Sequence, residues 1–194
     1  MQPASIDNIK NTPFWWEEAE PEYMDSALVP SSADVGVIGG GFAGMIAALT
    51  LAREGRNVVV FDAMRPGEGA SSRNGGIASG NVKHSFSSLI KKVGLKKAKA
   101  IFSEGIDARK SLIKFVKDEN IECDLQLVGR FDGANSLRDY DALAYEADLL
   151  NKHINFGAQM IAREEQRGYL GTDLYCGGRF RSDIAGLHPA KLYR

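Results

Sequence analysis

The apolar positions of this chain follow different rhythms in different stretches. Val35, Val37 and Ile38 form a short β-branched run of the kind buried on both faces of a parallel sheet, and it stops at Gly39, Gly40 and Gly41. Residues 42–53 are apolar nearly all round, from Met45-Ile46-Ala47-Ala48 to Leu49-Thr50-Leu51-Ala52. That pattern predicts a helix sandwiched between the sheet and another layer. A second apolar run over 57–61 ends at Asp62 and predicts a second strand.

Beyond residue 85 a helical period takes over. After the helical, basic stretch Leu89-Ile90-Lys91-Lys92-Val93, the residues Ile101, Ala108, Leu112, Phe115 and Val116 predict a buried helix face, with Lys110, Lys114 and Lys117 on the wet side. Residues 121–128 alternate, with Cys123, Leu125 and Leu127 on one side and Glu122, Asp124 and Gln126 on the other, which predicts a half-buried antiparallel strand. A second helix is expected over 136–152, carrying Leu137, Ala144, Ala147 and Leu150 and capped by Asn135 or Ser136. Strand-like pieces around 174–180 follow, with turns at Gly171, Gly177-Gly178 and Gly186. No internal repeat is visible.

The fold class this implies is α/β: a Rossmann-like βαβ unit followed by an α+β region. Three stretches are expected, an irregular arm over 1–30, the βαβ unit and its following loop over 31–84, and a helix and strand region over 85–194. The arm carries Pro3, Pro13, Pro21 and Pro30, and its adjacent Phe14, Trp15 and Trp16 are expected to pack on the protein's own surface rather than to greet a partner.

Composition narrows the functions. Of 194 residues 44% are hydrophobic and the net charge is -1, which points away from nucleic acid, a membrane span or a disordered chain. The lysines of the first long helix are interrupted by Glu104, Asp107, Asp118 and Glu119, so that helix reads as a solvated face. Cys123 and Cys176 are the only cysteines, giving neither a disulfide framework nor metal-ligand spacing. The first residues lack a basic stretch followed by an apolar core, and a cytoplasmic location is expected.

The chemistry sits between residues 34 and 76. Gly39 permits a tight turn, Gly41 lets the backbone approach a pyrophosphate, and Gly44 lets the helix press on the strand; the helix that starts with Phe42 and Ala43 aims its free N–H groups at phosphate. Asp62 lies 18 residues after Gly44, where a carboxylate can accept hydrogen bonds from ribose hydroxyls and repel a 2′-phosphate, leaving FAD or NAD. The stretch Gly67-Glu68-Gly69-Ala70-Ser71-Ser72-Arg73-Asn74-Gly75-Gly76 is more than a plain NAD site requires.

The motifs over 34–44, Phe61-Asp62-Ala63 and 67–76 resemble the D-amino acid oxidase superfamily of FAD-dependent oxidoreductases, in particular its gamma-glutamylputrescine oxidoreductase branch. Phe14-Trp15-Trp16 and Gly186-Leu187-His188-Pro189 also look like that branch. The resemblance implies FAD as cofactor, with Gly69, Ala70, Ser71, Ser72, Arg73, Asn74, Gly75 and Gly76 running beside the pyrophosphate and flavin. Hydroxyls, a cation, an amide and bare backbone suit that task. It implies oxidation of an amine or amino acid at carbon by hydride transfer to flavin N5, giving an imine that water hydrolyses, with dioxygen or another electron acceptor taking the electrons. Arg73-Asn74 stand where some relatives attach flavin through histidine or cysteine, so non-covalent binding is expected, with His84 a surface or helix-start residue. No catalytic residue is singled out, His188 and Arg181 being expected to serve structure. Members of the family are about twice this length or more, so the sequence is expected to be the N-terminal portion of a longer one. Two other readings stay open, a NAD-dependent dehydrogenase and a non-catalytic dinucleotide-binding fragment.

Overall fold

The computed structural model describes residues 9–24 and 28–194; residues 1–8 and 25–27 of the expected arm, Pro3 among them, lie outside the described residues. In chain order the elements are a 3-10 turn at Phe14–Glu17, β1 (Val35–Ile38), α1 (Phe42–Arg53), β2 (Val58–Phe61), a 3-10 turn at Ala70–Ser72, β3 (Ile77–Ala78), α2 (Phe86–Asp118), β4 (Arg130–Gly133), α3 (Leu137–Ile154), β5 (Gln159–Ile161), a 3-10 turn at Arg163–Gly168, β6 (Gly178–Arg181), β7 (Ala185–Gly186) and α4 (Pro189–Tyr193). The chain is mixed α/β and divides into two compact units. One comprises the residues up to Gly76 with 122–124 and 188–194; the other comprises 77–121 and 125–187. The sequence pattern sets its breaks after residues 30 and 84.

In the first unit β1 and β2 pair in parallel, with Val35 opposite Val58 and Ile38 opposite Phe61, and α1 crosses between them. The β-branched runs make the strands and the glycines end the first. Burial on both faces is not realised. Ile38 is 84% exposed, and of α1 only Ala48 is buried while Met45 and Ile46 face outward. The reason is that a two-stranded sheet with one helix supplies two layers, and among the described residues no third layer covers the outer side of α1.

In the second unit α2 begins at Ser85, whose hydroxyl caps the Ser88 amide at 3.2 Å, and is interrupted at Gly94, where φ is 79° and ψ 160°. Its buried face is Phe86, Leu89, Ala98, Phe102, Arg109 and Val116. Ile101 and Ala108, expected inside, are exposed, so the helix is rotated from the expected face by about one residue. Two contacts select the rotation. Gly105 lies so close to Gly80 that a Cβ on either would come within 2.2 Å of the other's carbonyl oxygen, and Arg109 is buried because its guanidinium pairs with Asp183. The lysine face is solvated as expected, with Lys110 on Asp107 at 3.3 Å.

α3 follows its expected capping, the Ser136 hydroxyl accepting from the Asp139 amide at 3.1 Å. Phe86, Leu89, Ala98 and Phe102 from α2 meet Ala147 and Leu150 from α3, with Phe156 and Ala158, to form the core of this unit; the Phe86 and Phe102 rings meet edge-on at 5.1 Å. A three-stranded antiparallel sheet ordered β4-β6-β5 accompanies it, and β3 and β7 form a separate antiparallel pair.

The strand expected over 121–128 is absent. A single bridge joins Gln126 to Gly186, Asp124 is left-handed at φ 53°, and Leu127 is 53% exposed while Cys123 is buried. A left-handed residue reverses the pleat, so the alternation of the sequence cannot become an alternation of faces. Gly178 and Gly186 lie in β6 and β7 instead of in turns, and the strand expected around 174–180 begins only at Gly178. Cys123 and Cys176 are not joined in a disulfide. Among the described residues no helix is long and apolar enough to cross a membrane, and no His/Cys/Asp/Glu group could hold a metal ion.

Candidate cofactor site

The turn between β1 and α1 is made by glycine for two separate reasons. Gly39 has φ 97°, a conformation side chains rarely adopt, and a Cβ on Gly44 would stand 1.9 Å from the Gly39 carbonyl oxygen. The first lets the chain reverse and the second lets α1 begin directly against the strand end. Gly41 is the N-cap and offers no side chain. The Met45 amide makes the first helical bond, to the Gly41 carbonyl at 2.9 Å, so the Ala43 and Gly44 amides ahead of it have no acceptor within the helix. The positive end of the helix dipole lies at the same place.

Asp62, at the end of β2, reaches this corner. Its Oδ2 accepts from the Gly40 amide at 2.6 Å and its Oδ1 from the Met64 amide at 2.9 Å. The Met64 bond, then that of Gly40, with a further one from Ala63, holds the carboxyl below the ordinary aspartate range. The carboxylate is exposed and keeps acceptor capacity for another donor.

The loop over 67–76 is brought to the same corner. Gly69 caps the 3-10 turn Ala70–Ser72, and the Ser71 hydroxyl accepts from the Phe42 amide at 2.9 Å, joining the loop to the first residue of α1. The Ser72 hydroxyl is engaged by the protein itself. Ser72 is buried, donates to the Gly67 carbonyl at 2.6 Å and accepts from the Trp16 indole N–H at 2.8 Å. Arg73 donates to the Glu68 carbonyl at 2.6 Å and lies over the Trp16 ring at 4.5 Å. Asn74 folds back on its own turn, donating to the Ser71 and Ala70 carbonyls and accepting from the Gly76 amide at 2.9 Å, while Gly75 lies in open space.

The aromatic pair of the arm packs on the protein itself. Trp15 donates to the Asn74 carbonyl at 2.7 Å and sits edge-on to His188 at 4.8 Å, while Phe14 stays largely exposed. Arg65 lies 5.3 Å from the Trp16 ring and pairs with Glu68 at 2.9 Å and Glu20 at 2.8 Å. His188 caps α4 through Nδ1, which accepts from the Lys191 amide at 3.1 Å, and Arg181 is buried on Asp183 and Asn81. His84 is exposed just ahead of the α2 cap.

Tyr193 was not foreseen. Its hydroxyl donates to the Gly40 carbonyl, and its ring lies 5.9 Å from that of Phe42. Burial, with the Asp62 charge second, raises its phenol above the ordinary tyrosine range. No periodicity marks a residue that finds its partner 153 positions away.

A parallel βαβ unit with a glycine turn, a helix N-terminus without a side-chain cap and an acid at the second strand end is a Rossmann-like dinucleotide-binding architecture. The model of the FAD dependent oxidoreductase family matches residues 34–194, and the chain belongs to that family, whose cofactor is FAD. It is 34% identical over 160 residues to the probable oxidoreductase OrdL of Haemophilus influenzae, covering 81% of this chain and 36% of that protein. With the gamma-glutamylputrescine oxidoreductase of Escherichia coli it shares 28% identity over 161 residues, covering 83% and 38%. The structure of L-amino acid deaminase from Proteus myxofaciens, in complex with anthranilate, is similar in fold at TM-score 0.68 and 16% identity, over 90% of this chain and 37% of that one. Glycine oxidase from Geobacillus kaustophilus is similar at TM-score 0.64 and 20% identity, over 83% and 42%. The chain thus spans about two fifths of the length of these relatives.

The residues fit FAD. Gly41 puts no side chain at the head of α1, where the Ala43 and Gly44 amides have no helical acceptor, and the Asp62 carboxylate is exposed with acceptor capacity left.

Proposed function

We propose that this chain holds FAD for an oxidoreductase that oxidises the C–N bond of an amine or amino acid, gamma-glutamylputrescine or a similar amine being the substrate. The observation that carries the cofactor half is the Asp62–Gly40 hydrogen bond, which unites the acid that would take ribose with the corner that would take diphosphate. The substrate half rests on the likeness to gamma-glutamylputrescine oxidoreductase.

In this reading the Gly41, Ala43 and Gly44 amides receive the diphosphate and Asp62 the adenosine ribose. Gly39, Gly40, Phe42 and Ala63 fix the corner's shape. The backbone of Gly69, Ala70, Gly75 and Gly76, with Ser71 and Asn74, carries the loop beside the cofactor. Ser72 and Arg73 act from behind, holding that loop through Trp16 and Glu68. The chemistry FAD supplies when bound is acceptance of a hydride from the carbon next to nitrogen, the electrons passing on to dioxygen or another acceptor. The protein orients the two and needs few acid or base side chains for it.

The test is titration of the purified 194-residue protein with FAD, followed by flavin fluorescence and visible absorbance. Saturable FAD binding that Asp62→Ala weakens at least tenfold supports the reading. Binding of NAD in preference to FAD would favour the dehydrogenase instead. Anaerobic bleaching of the bound flavin by gamma-glutamylputrescine, but not by simple amino acids, tests the substrate.

A further inference from the structure

We infer that Tyr193 is a positioning residue of the FAD site, a latch that holds the glycine corner and the cofactor loop in register; this rests on the cofactor reading above. Three contacts converge on one side chain. The hydroxyl donates to the Gly40 carbonyl. The ring lies beside Phe42, the first residue of α1, at 5.9 Å between centroids. The same ring fills the space over Gly67, where a Cβ would stand 2.4 Å from its Cδ1.

Gly40 is therefore held on both sides of its α-carbon, its N–H by Asp62 and its C=O by Tyr193. A glycine left to itself samples both signs of φ and gives its neighbours no fixed amide direction. Pinning both flanking peptides fixes where the next amides point, and those are the donors proposed for the diphosphate. Gly67 belongs to the other cofactor segment: its carbonyl accepts from Ser72, and the turn that Ser72 closes carries Ser71 onto the Phe42 amide. Tyr193 thus touches the backbone of both segments from behind, where it shapes the site without needing to touch FAD. Binding energy otherwise spent on ordering the corner is saved in advance.

Tyr193→Phe keeps the ring over Gly67 and removes only the donor. The expected result is FAD affinity about fivefold weaker, the loss of one neutral hydrogen bond. The thermal midpoint without FAD should barely move, and amide hydrogen exchange should quicken in residues 39–44 and nowhere in the second unit. A general loss of structure would instead speed exchange throughout. Tyr193→Leu, which also empties the space over Gly67, should weaken FAD more than Tyr193→Phe and quicken exchange over 67–76 as well. Wild-type affinity and unchanged corner exchange in Tyr193→Phe would overturn the latch while leaving the cofactor reading intact. A wild-type protein indifferent to FAD would overturn both.

Discussion

The Trp16 indole N–H and the Ser72 hydroxyl meet at 2.8 Å across 56 residues of sequence, and Ser72 in turn donates a hydrogen bond to the Gly67 carbonyl. A buried hydroxyl that accepts from one partner and donates to another cannot be removed without leaving both partners wanting.

Ser72→Ala should therefore destabilise the first unit by about 1–3 kcal/mol, because the Trp16 N–H and Gly67 C=O lose their partner together. Trp16→Phe removes one donor only, keeps a ring under Arg73, and should cost about 1 kcal/mol. Urea unfolding of the two variants decides it; equal effects would mean that the ring, not the relay, holds the loop.

Gly44→Ala should be among the most damaging small substitutions in the chain. The added methyl would lie 1.9 Å from the Gly39 carbonyl oxygen, which is backbone and cannot swing away. Displacing α1 from the strand end should cost about 1–3 kcal/mol or more and abolish detectable FAD binding, read by thermal melting and flavin titration.

Acid should weaken the first unit. Asp62 is held below the ordinary carboxylate range by the Met64 and Gly40 amides, and Asp124 and Glu18 by the Lys191 ammonium they share. A carboxyl lowered in the folded state contributes stability that is present above its unfolded pKa and lost as pH falls through the folded one. Lys191, raised by the same partners, contributes stability below the ordinary lysine range that is lost as pH rises through its higher folded value. Stability measured against pH should show both limbs. Asp124→Asn should flatten the acid limb, and a slope unchanged in that variant would refute the assignment.

In the second unit Asp183 faces two arginines, Arg109 and Arg181, that are almost completely buried. Asp183→Ala should leave both guanidiniums undercompensated and lower the stability of that unit by about 1–3 kcal/mol, while FAD binding by the first unit changes little. Urea unfolding monitored beside flavin titration separates the two.

What could be read from the chain was local. Residues 42–53 announced a helix because a glycine turn precedes an unbroken apolar run, and Ser136 announced the start of α3 because a hydroxyl there has amides to cap. Asp62 could be placed at the corner because both strands are short and parallel, so their ends must coincide. The face of α2 was misread because Arg109 looks polar and is buried, whereas Ile101 looks buried and is not. The alternation over 121–128 misled because a left-handed Asp124 leaves no mark in a hydrophobic pattern. The roles of Trp16 and Tyr193 come from partners 56 and 153 residues distant, and such pairings arise only when the chain closes on itself.

That closure has a consequence for biosynthesis. The first unit is assembled from residues up to Gly76, a short piece at 122–124 and residues 188–194, so a ribosome delivers the glycine turn long before the tyrosine that donates to it. Until α4 emerges, the nascent turn waits without that donor, and the entropy of joining such distant stretches makes this contact later than the local ones.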